Sequence, residues 1–246
     1  MDISSEQAPR VLVFTRTNGY RHDSIEAGVR AVAALASDDG LVCDHTEDPQ
    51  AFTEQSLSRY AVVVWLSSIG DVLDDSQRAA FAAWLREGGA FAGVHSATAT
   101  EPGWAELERI AGAVFVEHPE VQRGTLRVAD PTHPSTEGLP PLWEHEDEWY
   151  NFASNPRGRV EVLLTVDEGS YRGGKMGPDH PVAWCHTYGD GRCWYTALGH
   201  RTEAYRDELF LRHLRGGLRS LWSPADARAG SRAGSGLTDS ASPAPG

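Results

Sequence analysis

Four polar segments of this chain carry the residue types that acid–base or metal chemistry requires. They read Thr15-Arg16-Thr17-Asn18-Gly19-Tyr20-Arg21-His22-Asp23-Ser24, His95-Ser96-Ala97-Thr98, Glu146-Asp147-Glu148-Trp149-Tyr150 and Gly199-His200-Arg201-Thr202-Glu203. An imidazole titrates near neutral pH, so His22, His95 and His200 can move protons or, when neutral, ligate a divalent ion of the zinc or manganese type. Asp147 or Glu148 would supply the accompanying carboxylate. These histidines are far apart in sequence and form no local metal motif, so the chemistry depends on whether the fold brings them together. Each segment also has a plain structural reading: Asp23 or Ser24 can cap one helix and Thr202 another.

The elements around these segments make the convergence an expectation. Val11 to Phe14, then 61–66 (Ala-Val-Val-Val-Trp-Leu), then 90–94 (Ala-Phe-Ala-Gly-Val) are short apolar runs that read as buried strands, with residues 41–44 as a further strand. Between them, residues 22–36 carry Ile25, Val29, Val32 and Leu35 at helical spacing. Residues 74–86 read as a helix capped by Asp74 or Asp75 and ended by Gly88-Gly89, and 104–110 as a short one. This alternation predicts an α/β fold: a doubly wound, mostly parallel sheet with helices on both faces. The second half departs from it. Residues 160–164, 182–186 and 193–198 read as strands, the last two joined by an Asp190-Gly191 turn, and 203–221 as a closing helix. An antiparallel extension of the sheet follows. In such sheets ligands gather at the carboxyl ends of the strands, where His22, His95 and His200 would all lie. The fourth cluster, 146–150, falls in a stretch read as irregular.

Composition narrows the class. With 22 Lys and Arg against 35 Asp and Glu the net charge is −13, and no basic cluster exists to hold a nucleic-acid backbone. No run of about 18 apolar residues could span a membrane, and the first ten residues contain no signal-peptide core. Three cysteines cannot form a disulfide framework, which points to a reducing compartment, the cytoplasm. Cys185 and Cys193 flank the hairpin turn as small buried hydrophobes. Residues 1–9 read as an extension, 10–222 as one domain and 223–246, nearly devoid of large apolar residues, as a disordered tail.

The stretches FTRTNGYRHDSIEAG, WLSSIGDVLDDSQRAAFAAWLREGGAFAGVHSAT, DEWYNF and DHPVAWCHTYGDGRCWYTALGH resemble, in order and spacing, the ThuA-like family of trehalose utilisation proteins. The likeness runs over roughly residues 11–220. It implies a fold similar to class I glutamine amidotransferases or flavodoxin. There His95 would stand at the strand-to-helix elbow where an amidotransferase carries its nucleophilic thiol, and His200 where the partner histidine stands. An imidazole cannot form a thioester, so Cys-dependent glutaminase chemistry is not expected. Ser96 is the alternative nucleophile, though it lacks a full Gly-x-Ser-x-Gly elbow. One departure is visible: the family commonly reads His-Ala-Ala-Thr-Asp after the elbow strand, whereas this chain reads His95-Ser96-Ala97-Thr98-Ala99.

The resemblance further implies a role in bacterial sugar catabolism, on a glycoside or a keto-sugar such as a 3-dehydro-glycoside. His22, His95 and His200 would hold a divalent metal, with His95 and His200 also available for acid–base work and Glu148 or Asp147 for proton transfer. Asn18, Tyr20, Arg21, Trp149, Tyr150 and Glu203 would contact a small-molecule sugar, with Trp104 a further aromatic candidate. Trp65, Trp84, Trp184 and Trp194 read as core packing. Of the three His-Pro pairs, His118 and His180 are candidates for a supporting role around the site. No nucleotide cofactor, nucleic-acid partner or membrane is expected, and a homo-oligomer is allowed. The rival expectation is a carbohydrate-binding or sensor protein that uses the same cleft without transforming its ligand.

Overall fold

The computed structural model describes residues 8–222. The expected tail at 223–246 therefore lies outside the described residues, as does most of the expected extension at 1–9. The fold is mixed α/β, built on a nine-stranded sheet. Its first part comprises β1 (Arg10–Phe14), α1 (Ile25–Asp38), β2 (Val42–Thr46), α2 (Glu54–Leu57), β3 (Val62–Leu66), α3 (Asp75–Arg86), β4 (Ala90–Val94) and α4 (Ala105–Ala111). Then come β5 (Phe115–Glu117), β6 (Gln122–Val128), β7 (Leu142–Asp147), β8 (Asn151–Phe152), β9 (Glu161–Asp167), β10 (Pro181–Tyr188), β11 (Gly191–Thr196) and α5 (Glu208–Trp222).

The strand order is β2-β1-β3-β4-β11-β10-β9-β6-β7, with β5 and β8 pairing separately. Strands β2, β1, β3, β4 and β11 run parallel, and every later pairing in that order is antiparallel. The antiparallel extension is thus larger than the three strands read from sequence, because β6 and β7 were not recognised. Their partial burial explains this: β6 alternates buried with open positions and has Arg123 and Arg127 on its wet side. Strands β3 and β4 are buried at every position, as the unbroken apolar runs require.

Two registers fix where chemistry can occur. Leu66 pairs with Val94, and Val94 with Thr196, so the carboxyl ends of β3, β4 and β11 lie level. Four successive antiparallel pairings from β11 bring β7 back to the same direction, so Asp147 also ends at this edge. The inner face of β7 packs on the closing helix, with Trp143 facing His213 and His145 stacked on Phe210. Since α5 also packs on β11 through Trp194 and His213, the end of β7 lies beside the loop after β11, where Asp147 accepts from Gly199 N.

Local signals fix the helices. Asp74 and Gln77 form a reciprocal capping box that starts α3. The side chain of Ser24 does not cap α1 but donates to the Gly199 carbonyl at 3.1 Å, tying two site loops together. Thr202 lies in a short 3-10 turn, and the last helix begins later than expected, capped by Asp207, whose carboxylate accepts from Phe210 N at 2.8 Å. Phe14, Phe52, Trp65, Phe81 and Phe91 form a contiguous aromatic cluster in the core. Trp65, Trp184 and Trp194 are fully buried, and the half-buried Trp84 packs against the core with its ring stacked on Phe81, as expected. All three cysteines are free, and Cys185 pairs with Trp194 while Cys193 pairs with His186, which puts the two on opposite faces of the hairpin.

His213 is a buried histidine of α5 whose two ring nitrogens are satisfied: Nδ1 donates to the Ser135 carbonyl at 2.9 Å and Nε2 accepts from Thr196 Oγ1 at 3.1 Å. Burial, chiefly, lowers its pKa to about 4, against a smaller upward pull from the Ser135 bond. Below pH ~6.5 the unfolded chain takes up a proton that the folded chain refuses. Stability should therefore fall as pH drops from about 6.5 to about 4, by roughly 3 kcal/mol from this residue. Urea midpoints measured between pH 7.5 and 4.5 should decline less steeply in His213→Gln than in the wild type; an unchanged slope would refute the assignment.

Candidate active site

The turn after β4 brings His95 into the site. Its φ is +55°, a left-handed conformation that a non-glycine residue adopts at a cost of about 1–3 kcal/mol. The surroundings enforce it. Tyr195 OH donates to the His95 carbonyl at 2.8 Å and also bonds Thr98 Oγ1 at 2.9 Å. Nδ1 of His95 donates to the Ala197 carbonyl at 2.8 Å, which fixes the tautomer and turns an unprotonated Nε2 into the cleft.

Around that Nε2 stand His22 Nε2 at 3.0 Å, His200 Nδ1 at 3.3 Å, Tyr150 OH at 2.9 Å and Glu148 Oε2 at 3.5 Å. Glu148 Oε2 is also 3.1 Å from His200 Nδ1. One atom from each of His22, His95, Glu148 and His200 lies within 4.8 Å of all the others. The three histidines expected to converge do converge, and Glu148 rather than Asp147 is the carboxylate among them. His22 is neutral: burial above all, with the neighbouring imidazoles, lowers its pKa to about 3, and its Nδ1 is buried without a partner. Burial is the largest influence on Glu148 and acts upward, but the neighbouring imidazoles, the hydrogen bond from His200 foremost, outweigh it and hold the carboxyl well below its usual range. His200 is raised: burial opposes, and the bond to Glu148 and its charge prevail.

Asp147 plays a different part from the proton transfer read from sequence. It is fully buried, accepts from Gly199 N at 2.8 Å and from His200 N at 3.1 Å, and its Oδ1 accepts from Glu148 N at 2.9 Å. His145 Nε2 stands 3.3 Å away. With its oxygens occupied and no access to solvent, Asp147 clamps the end of β7 to the loop after β11 and so holds Glu148 and His200 in place. Gly199, at φ +111°, makes that loop possible, since a Cβ there would meet Tyr205 OH at 2.8 Å. His145, two positions before Asp147 on the inner face of β7, was missed because the strand itself was not recognised.

The expected sugar contacts divide. Tyr20 is 62% exposed, its ring edge-on to His22 at 4.8 Å, and stands at the mouth. Arg21 pairs with Glu47 at 2.8 Å, and the Asn18 amide donates to the Asp71 carbonyl, so both are engaged in loop structure. Glu203 is exposed beside Arg201, which also pairs with Glu146. Trp149 is a correction: it is fully buried, its indole donates to the Gln122 carbonyl at 3.0 Å, and its ring fills the space over Gly124. No face of it is left for a sugar. Tyr150 is buried too, yet its hydroxyl reaches the cluster. Trp104 lies half-buried against the core, away from these contacts.

Of the supporting candidates, His118 is 3.4 Å from Glu148 Oε1 and 37% exposed, while buried His180 donates from Nε2 to the Tyr150 carbonyl at 2.8 Å. Ser96 is fully buried and its hydroxyl donates to the Ser68 carbonyl at 2.9 Å, pointing away from the histidines. Ser96→Ala should keep wild-type turnover within about threefold; a loss of orders of magnitude would restore the serine-nucleophile reading.

The sequence profile of the family described as ThuA, trehalose utilisation, matches residues 10–222. The chain belongs to the ThuA family. Among solved structures, a ThuA-like protein of Bacteroides uniformis is 24% identical, with a TM-score of 0.76 over 89% of this chain and 94% of its own. A ThuA-like protein of Parabacteroides merdae is 20% identical, with a TM-score of 0.70 over 88% of this chain and 91% of its own. A β-galactosidase from Bacillus circulans sp. alkalophilus shares the fold at 15% identity and a TM-score of 0.54, over 86% of this chain but 31% of its own. No curated protein matches the chain by sequence. Among the described residues, no helix is long and apolar enough to cross a membrane.

Proposed function

We propose that this ThuA-family protein is a sugar-catabolic enzyme in which His22, His95 and His200 hold a divalent metal of the zinc or manganese type and Glu148 moves a proton. The observation that carries the reading is the convergence of three imidazole nitrogens and one carboxylate oxygen at the carboxyl ends of the strands. Two facing Nε2 atoms 3.0 Å apart can share only one proton, so an ion that accepts several lone pairs suits the cluster better than protons do. Three imidazoles with an open side are the donor set of a catalytic site, and His95 has the outer hydrogen bond that such ligands use. The ion would supply Lewis acidity.

The substrate class follows from the family's description, trehalose utilisation, together with this donor set. For a glycoside bearing a ketone at C3, Glu148 would take the C2 proton while the electron pair moves into the C2–C3 bond and onto the carbonyl oxygen. Return of a proton to the carbon gives isomerisation. Expulsion of the C1 oxygen substituent, which takes up the proton held by Glu148, instead gives an enone and a free alcohol, and water addition at C1 completes a net hydrolysis. Glu148 is the carboxylate placed at the cluster, 3.1 Å from His200 and 3.5 Å from His95, and Tyr20 offers an exposed ring for the apolar face of a pyranose. We also read the His95 turn as an elbow of the glutamine amidotransferase kind in which an imidazole replaces the thiol. The free cysteines agree with a cytoplasmic setting.

Zinc- or manganese-loaded protein incubated with a 3-keto-glucoside in deuterium oxide should incorporate deuterium at C2 or release the alcohol, followed by NMR. Neither change, while the sugar still binds at micromolar concentration, would favour the rival reading of a carbohydrate-binding protein.

A further inference from the structure

Tyr150 is not used by the reading above, yet its hydroxyl touches the centre of the cluster. The phenol is 2.9 Å from His95 Nε2. Because His95 Nδ1 already donates to Ala197 O, Nε2 accepts and the tyrosine donates. The ring cannot swing away: it packs against Phe115 at 4.4 Å, His95 at 4.7 Å and His118 at 5.8 Å, and its backbone carbonyl is held by His180. If the lone pair of His95 Nε2 is given to an ion, this rigid, buried donor loses its acceptor. It must then find another oxygen close to the same point.

We propose that the Tyr150 hydroxyl is the hydrogen-bond donor to the substrate oxygen that gains negative charge at this cluster. The inference rests on the metal reading and adds a catalytic residue to it. The ligand class it selects is a carbonyl or small anion that enters from the side of His200 and His118, where the cluster meets solvent, and not a substrate presenting a hydrogen-bond donor. A phenol has one O–H to donate, and this one is aimed at the centre of the cluster. Its geometry is fixed before the substrate arrives, so the interaction needs no reorganisation as charge develops.

The test uses the full chain loaded with cobalt(II), whose visible absorption reports binding, and azide as the probe anion. Tyr150→Phe should bind cobalt within about threefold of wild type, bind azide about tenfold more weakly, and lower kcat on the keto-glycoside by about a hundredfold with little change in KM. Unchanged azide affinity with cobalt in place would overturn the proposal and leave the metal reading standing. Loss of cobalt from Tyr150→Phe would also overturn it, by making the tyrosine a support for the ligands. Failure of the wild-type protein to bind cobalt would overturn both.

Discussion

Glu148→Gln should lower kcat by about two to four orders of magnitude while leaving the fold and the bound metal intact. The side chain keeps its size, and the three imidazoles of His22, His95 and His200 remain to hold the ion. What is lost is the ionised oxygen that faces His200 at 3.1 Å and His95 at 3.5 Å. Steady-state kinetics on a 3-keto-glucoside, with metal content measured on the same sample, checks this directly. Retained turnover would remove Glu148 from proton transfer. Loss of the metal together with turnover would make Glu148 a fourth ligand and move the base elsewhere, with His118, 3.4 Å from its other oxygen, the nearest replacement.

Asp147→Asn is expected to have the second large effect, on architecture. The native carboxylate accepts from the backbone N–H groups of Gly199, His200 and Glu148, all at a buried position. An amide keeps one acceptor oxygen and turns an N–H₂ group against a donor, leaving buried groups unpaired at about 1–3 kcal/mol each. A loss of about 3 kcal/mol should lower the Tm by roughly 6–12 °C in a domain of this size. Because the clamp sets the positions of Glu148 and His200, metal affinity should fall by about 10- to 100-fold, as for other groups that orient ligands from behind. Thermal unfolding and competition against a chromophoric chelator measure the two effects. A variant with lowered Tm but undiminished metal affinity would mean that Asp147 supports the fold and not the site.

The parallel half of the sheet was legible because its strands are buried on both faces and so read as uninterrupted apolar runs, Val62 to Leu66 being the clearest. That periodicity put His22, His95 and His200 at strand ends, and the level registers of β3, β4 and β11 bring His95 and His200 together. Strand β7 was illegible for the opposite reason. Its outer face carries Glu144 and Glu146 while Trp143, His145 and Asp147 point inward, so a polar residue type at a buried position masked the alternation. With the strand missing, Asp147 and Glu148 looked interchangeable, although neighbours in a chain at a strand end face different surroundings. Trp149 misled through composition alone: an aromatic beside acids resembles a sugar platform, but only the packing over Gly124 decides its role. The pairing of Tyr150 with His95 joins residues 55 apart and leaves no trace in local sequence.

The central claim is that the histidine cluster binds a metal. Equilibrium dialysis of the wild type and of His200→Ala against zinc, manganese and nickel, followed by elemental analysis, tests it most directly. About one metal per wild-type chain, lost in His200→Ala, is the expected result. No metal in either protein, with both folded, would contradict the account and leave a cluster that works through protons alone or only binds its sugar.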